Sequence, residues 1–171
     1  MQEKPLKNYI ILAVIMLSVV LLVFYIRGWY NTSKVYYSRN SVIKNVAREI
    51  NAEEISNYTL ESQKFILYVS SGSDISIKEF ENDLKKLILR LDIAEDVLYL
   101  NLDNVNISDF NVRLRNVFAD SERIKSRISD DSTASFYVFE NGKIVSLLNN
   151  VDSFNIEHIK RLFQKWGFDN D

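Results

Sequence analysis

From Tyr9 to Ile26 the chain reads YIILAVIMLSVVLLVFYI, 18 residues without a charge, in which Ser18 is the one small polar side chain. At about 1.5 Å per residue, a helix of that length crosses most of a hydrocarbon layer of roughly 30 Å. Gly28, Trp29 and Tyr30 extend it to the depth where interfacial aromatics belong. The run predicts a transmembrane anchor over residues 9–30 behind a short tail, residues 1–8. A cleaved signal peptide is the competing reading. Its apolar region usually has only about 7–15 residues, and bulky Phe24, Tyr25 and Ile26 stand where cleavage needs small ones. Lys4 and Lys7 precede the run while Arg27, Lys34 and Arg39 follow it, so the flanking charges nearly balance. A short basic start before an apolar run has the pattern of a signal anchor. It predicts a single-pass protein of the cell membrane whose C-terminal domain lies outside the cytoplasm.

Beyond the anchor the pattern changes. Residues 31–62 form a polar juxtamembrane segment in which Val42, Ile43, Val46, Ala47 and Ile50 recur at helical spacing, predicting a helix over Ser41–Ile55. A domain follows over residues 63–171. Lys64-Phe-Ile-Leu-Tyr-Val-Ser70 is a short β-rich run bounded by polar residues, as in a buried strand. Ile77, Phe80, Leu84, Leu87, Ile88 and Leu91 then mark one face of a helix, and Ser76-Ile-Lys-Glu79 fits a capping box at its start. Asp96–Leu102 reads as a second strand, so strand, helix and strand imply a right-handed parallel crossover. Ile107–Arg127 is mixed, with Phe110, Leu114, Val117 and Phe118 sharing a helical face. Ala134–Phe139 and Lys143–Leu148 flank Glu140-Asn-Gly142, a strong hairpin signal because Asn and Gly both accept positive φ. Ile156, Ile159, Phe163 and Trp166 line a final helix that Gly167 and Phe168 would stop. The fold class is α/β: a β-α-β unit, a helical connection, a β-hairpin and a C-terminal helix, giving one mixed sheet with helices on both faces.

Composition removes several kinds of chemistry. Of 171 residues 47% are hydrophobic, and the net charge of −2 supplies no basic field for nucleic acid. There is no cysteine, hence no disulfide, thiolate metal site or thiol nucleophile. His158 is the one histidine, and no serine nucleophile with an oriented base can be picked out beside it. No phosphate-binding glycine pattern occurs, so the small polar turn Ser70–Ser73 reads as turn chemistry. Asp103, Asp109, Asp120, Asp130 and Asp131 invite a calcium reading. Val105 breaks the alternation of oxygen ligands in Asn101–Val105, and a solvated loop explains them better. Arg113, Arg115, Arg123, Lys125 and Arg127, interleaved with Asp120 and Glu122, read as solvated helix faces. No catalytic residue, metal or cofactor is expected.

The order of elements, the strand Phe65-Ile-Leu-Tyr-Val69 and the hairpin Phe136-Tyr-Val-Phe-Glu-Asn-Gly-Lys-Ile-Val145 resemble the thioredoxin-like superfamily over about Glu53 to Phe168. Within it, the chain looks like the small bacterial proteins described as bacteriocin-transport accessory proteins. Laid on that pattern, the family's Cys-x-x-Cys falls on Asp74-Ile75-Ser76-Ile77, at the family's spacing from Phe80, and its cis-proline falls near Ala134. Both thiols and the proline are missing. The resemblance therefore implies a fold kept without its electron chemistry, with Asp74 at the electropositive helix entrance, Ser76 capping and Ile77 turned inward.

These readings predict a membrane-tethered, redox-inactive domain, not an enzyme, that binds or scaffolds a protein or peptide, accessory to an export or envelope complex. Its candidate partner groove is Ser71, Gly72, Ser73, Asp74, Ala134 and Ser135, near the C-terminal edge of the sheet. The expected partners are the bilayer, through residues 9–30, and another membrane or exported protein. The alternative is a structural single-span subunit whose anchor and juxtamembrane helix make the main contacts.

Overall fold

Phe65, Leu67 and Val69 face one side of the central sheet and Ile66 and Tyr68 face the other, all of them buried. Such a continuous apolar run is what a strand covered on both faces requires. The computed structural model describes residues 6–39, 41–130, 134–151 and 155–168. Lys4, Pro5 and Asp131 lie outside them. Two compact units result, Met1–Ser38 and Arg39–Asp171.

The described residues of the first unit lie in one helix, α1 (Leu6–Arg39), which runs nine residues past Tyr30. Tyr9–Tyr30 is long and apolar enough to cross a bilayer, with none of it buried, and a signal sequence would pass the same test of length and composition. The hydroxyl of Ser18 donates to the Val14 carbonyl at 2.7 Å. The one small polar side chain of the apolar run is thus satisfied within the helix, as a hydrocarbon surrounding would require.

In the second unit the strands are β1 (Arg48–Glu49), β2 (Lys64–Ser70), β3 (Val97–Asn101), β4 (Ala134–Glu140) and β5 (Lys143–Asn149), in the spatial order β1-β3-β2-β4-β5. β1 and β2 both run parallel to β3, whereas β4 is antiparallel to β2 and to β5. The helices are α2 (Ile55–Glu61), α3 (Lys78–Arg90), α4 (Ile107–Arg113), α5 (Glu122–Lys125) and α6 (Ile156–Lys165). Leu84, Leu87 and Ile88 of α3 and Ile159 and Phe163 of α6 pack on Tyr68, Tyr99 and Phe136. On the opposite face Phe110, Leu114, Phe118 and Ile124 cover Leu98, Leu100, Tyr137 and Phe139. Phe65 and Phe139 stack across β2 and β4 with ring centroids 4.6 Å apart. The mixed sheet with two covered faces is the expected fold class.

Three local expectations need correction. The helix over Ser41–Ile55 does not form. Ile43 and Ala47 enter one core, while Ile50 enters the other and donates its N–H to the Tyr99 carbonyl at 2.8 Å, extending the sheet edge. Burial on two faces overrides helical spacing. Asn51 then starts a new turn, its N–H bonded to the Glu54 carboxylate at 2.7 Å. Second, Val117 does not share the face of Phe110, Leu114 and Phe118. A π turn over Leu114–Phe118, with the Ala119 N–H bonded to the Leu114 carbonyl, leaves it 47% exposed. Third, the arginines around residue 120 are not simply solvated. Arg113 donates to the Ala52 carbonyl and the Ser56 hydroxyl, Arg115 to the Ile128 carbonyl and Asp130, and Arg127 to the Leu147 carbonyl. They clasp loops onto the domain.

The two glycines expected at turns carry positive φ. Asn141 (φ 49°) and Gly142 (φ 77°) form the two-residue hairpin loop. Gly167 (φ 65°) ends α6, where Phe168 donates to the Phe163 carbonyl and Gly167 to that of Gln164. A Cβ on Gly142 would meet Thr59 at ordinary contact distance, its Cβ at 3.7 Å and its carbonyl oxygen at 4.0 Å, so the cost is one of backbone conformation. Gly142→Ala in the full chain, in detergent micelles, is expected to lose roughly 1–2 kcal/mol, read as a lower urea midpoint at unchanged slope. An unchanged midpoint would count against this turn.

Candidate functional site

β2 ends at Ser70, which pairs with Asn101 at the end of β3 and with Ala134 at the start of β4. Three strand termini therefore meet beneath the turn that leads into α3. The small polar residues of that turn have the freedom to fold tightly, and each is then fastened. The Asp74 N–H meets the Ser71 carbonyl at 3.3 Å, and the Gly72 N–H donates to Asn101 Oδ1 at 3.0 Å. The same Asn101 oxygen accepts from the Asp103 N–H, which brings the Asp103 carboxylate up to the turn. Asp103 Oδ1 accepts the hydroxyls of Ser71 and Ser73. Lys78 Nζ, from the first residue of α3, donates to the Gly72 carbonyl at 2.8 Å.

The capping box expected at Ser76–Glu79 does not form. α3 starts at Lys78, and no side chain caps its entrance residue, Ile77. Asp74 has taken Ser76 instead, with Oδ1 accepting from the Ser76 N–H at 2.8 Å and its hydroxyl at 2.7 Å. A local Asx bond competes directly with a cap for the same serine, and here it wins. Ile77 is fully buried, as expected, while Ile75 at the apex is 69% exposed. The turn thus carries an Asx-turn carboxylate at Asp74 and a core isoleucine at Ile77.

Ser71, Gly72, Ser73 and Asp74 lie together in this turn. Ala134 and Ser135 adjoin it through the β2–β4 pairing, but both are buried, and the Ser135 hydroxyl turns to Asn149 Oδ1 at 3.3 Å. Beside the same strand ends, a cleft of about 330 Å³ opens among Glu49, Asn51, Asn101, Asp109 and Arg113. His158 is exposed on α6. Among the described residues no group of histidines and carboxylates is placed to hold a metal ion.

Sequence reasoning missed the residue that organises the ground under the turn. Glu81 is fully buried. Its Oε1 accepts the Ser41 hydroxyl at 2.8 Å, the Ser70 hydroxyl at 3.0 Å and the Tyr68 hydroxyl at 3.3 Å. Its Oε2 accepts the Val42 N–H at 2.8 Å and lies 4.0 Å from Lys78 Nζ. Buried charge needs such complete pairing. Burial first, then the Glu81 carboxylate, pushes the Tyr68 hydroxyl well above its ordinary pKa. Burial pushes Tyr99 up to about 12, against a hydrogen bond with Ser70. A signal existed: Glu81 lies four residues after Ile77 and three before Leu84, so the apolar stripe of α3 holds a carboxylate.

No family model and no curated protein matches this sequence. Among solved structures, the chain is similar to thioredoxin f2 of Chlamydomonas reinhardtii, at 11% identity and TM-score 0.50, over 71% of this chain and 96% of that one. A thioredoxin of Plasmodium falciparum is similar at 16% identity and TM-score 0.50, over 71% of this chain and 100% of that one. At such identities the likeness is one of fold alone.

Proposed function

We propose that this thioredoxin-fold domain is a membrane-tethered docking module whose 71–77 turn receives an extended segment of another membrane or exported protein. One observation carries the reading. Ile75, exposed at the apex, stands on a turn whose serines, glycine main chain and aspartate are all bonded within the domain. An apolar anchor on a pre-organised loop loses little conformational freedom on binding. Because the chain contains no cysteine, it offers no thiol for a mixed disulfide, and contact there is non-covalent. Ser71, Ser73 and Asp74 form the polar border of the contact, with Gly72, Ala134 and Ser135 as its buried support. The apolar helix Tyr9–Tyr30 supports the tether, and the basic start before it favours a domain outside the cytoplasm. The resemblance of the 136–145 hairpin to accessory proteins of peptide transport favours an export or envelope complex as the setting.

A photo-crosslinking residue at Ser73 of the full chain, in cells, is expected to trap a defined partner. Ile75→Asp and Asp74→Lys should each reduce that product about tenfold. Equal capture by both variants would move the contact elsewhere. The second reading, a subunit held by its anchor, draws on the length of α1. Capture that survives removal of residues 1–30 assigns binding to the domain, and capture that vanishes assigns it to the anchor. Ser73→Cys adds the only thiol to the chain, so labelling of intact cells by an impermeant maleimide reads the side of the membrane without background.

A further inference from the structure

A second surface lies on β5 and α6, at the far edge of the sheet. A shallow groove of about 360 Å³ runs there, lined by Arg127, Leu148, His158, Arg161, Leu162 and Lys165, among others. Its composition is unlike that of the whole molecule. The chain carries a net charge of −2, yet the groove has three permanent cations in its lining and, among the described residues, no carboxylate. Arg161 and Lys165 stand four residues apart on α6, hence on one face, both exposed. Neither has an ion partner among the described residues. Between the cations, Leu148 and Leu162 are only half-buried at the margin of the core, leaving an apolar strip open to water.

We propose that this groove binds an acidic peptide segment bearing apolar side chains, with carboxylates meeting Arg161, Lys165 and Arg127 and apolar side chains lying on Leu148 and Leu162. Charge complementarity selects the occupant, because an all-cation lining repels a basic or neutral-polar segment relative to an acidic one. Strand addition does not apply. β5 is the last strand of the sheet, but its outer side is already met at Ile144 by Ala119 and at the Leu147 carbonyl by Arg127. The occupant is therefore held by side chains in the groove. A concave, leucine-floored groove also suits inserted side chains better than a flat array of lipid headgroups. This surface does not rest on the 71–77 turn, and variants of that turn leave it intact.

The test uses the full chain in phosphatidylcholine nanodiscs and a fluorescein-labelled dodecapeptide of alternating Glu and Leu, followed by fluorescence anisotropy against protein-free nanodiscs. The peptide is expected to bind, and its counterpart with Lys for each Glu is expected not to. Arg161→Glu with Lys165→Glu should weaken binding about tenfold or more. The charge-matched pair Lys86→Glu and Arg90→Glu, exposed on α3, should leave it unchanged. Raising salt from about 0.05 to about 0.5 M should weaken binding, since the screening length shortens severalfold. Equal binding of the acidic and basic peptides, or binding indifferent to the α6 pair while circular dichroism shows both variants folded, overturns the proposal. Phosphatidylglycerol vesicles captured through Arg161 and Lys165, with no peptide bound, overturn it in favour of a lipid headgroup.

Discussion

Replacing Glu81 by alanine is expected to cost the folded domain about 3–5 kcal/mol, the range for removing one partner from a buried, hydrogen-bonded charge. The loss has identifiable parts. Ser41, Ser70 and Tyr68 lose the acceptor that their hydroxyls share, the Val42 N–H loses the oxygen to which it donates, and Lys78 Nζ loses the carboxylate 4.0 Å away. A buried donor left without an acceptor is penalised by about 1–3 kcal/mol, more than the net gain from a satisfied bond. Ser41 also orients the next turn through a bond from the Ile43 N–H, so residues 41–43 should loosen with it. Glu81→Gln keeps the volume and one acceptor oxygen, and is expected to fall well short of the alanine cost. Thermal unfolding of the full chain in detergent, followed by near-ultraviolet circular dichroism, reads the loss of fixed packing around the buried aromatic side chains Tyr68, Tyr99 and Phe136. Equal stability of the wild type and Glu81→Ala would show that the carboxylate is not the centre of this network. Amide exchange at Val42 and Ile43 rising before the global transition would show the local release.

The second large effect is alkaline. The hydroxyls of Tyr99 and Tyr137 are pushed by burial to about 12 in the folded domain, from an ordinary 10.0. Tyr68 moves in the same direction, by burial and by the Glu81 carboxylate. In the unfolded chain these groups give up their protons first. Between pH 10 and 12 the folded state therefore binds more protons than the unfolded state, and stability falls as pH rises. Below pH 10 the contribution is intact. A tenfold difference in proton affinity is worth about 1.4 kcal/mol. Tyr99 and Tyr137 together thus withdraw on the order of 5 kcal/mol across that window, enough to unfold a marginally stable domain. Tyrosinate absorbance should include a late cooperative step coincident with loss of near-ultraviolet dichroism, as the buried hydroxyls ionise on unfolding. Tyr137→Phe should shift the late step upward. A single wave with the fold retained throughout would contradict the burial of all three hydroxyls.

The sequence by itself determined the long apolar helix, the four main strands, the hairpin turn and the end of α6. Each is written in a local pattern of residue types that can be read without knowing its partners. Lys64–Ser70 is apolar on successive residues because both its faces are covered, and Asn141-Gly142 accepts positive φ whatever lies around it. The absence of a thiol was likewise settled by composition alone. Tertiary structure decided the rest. Periodicity records that a face is buried, not against what, so Val42–Ile50 looked helical although its apolar residues divide between two cores. The choice of Asp74 over the helix N–H groups as partner for Ser76 depended on how the turn closes onto Asn101 and Asp103, about 30 residues away in sequence. Glu81 reaches Ser41 across 40 residues, and Arg127 reaches Leu147 across 20. A polar side chain's role depends on partners that only the folded chain brings within hydrogen-bonding distance, whereas an apolar residue needs only to leave water.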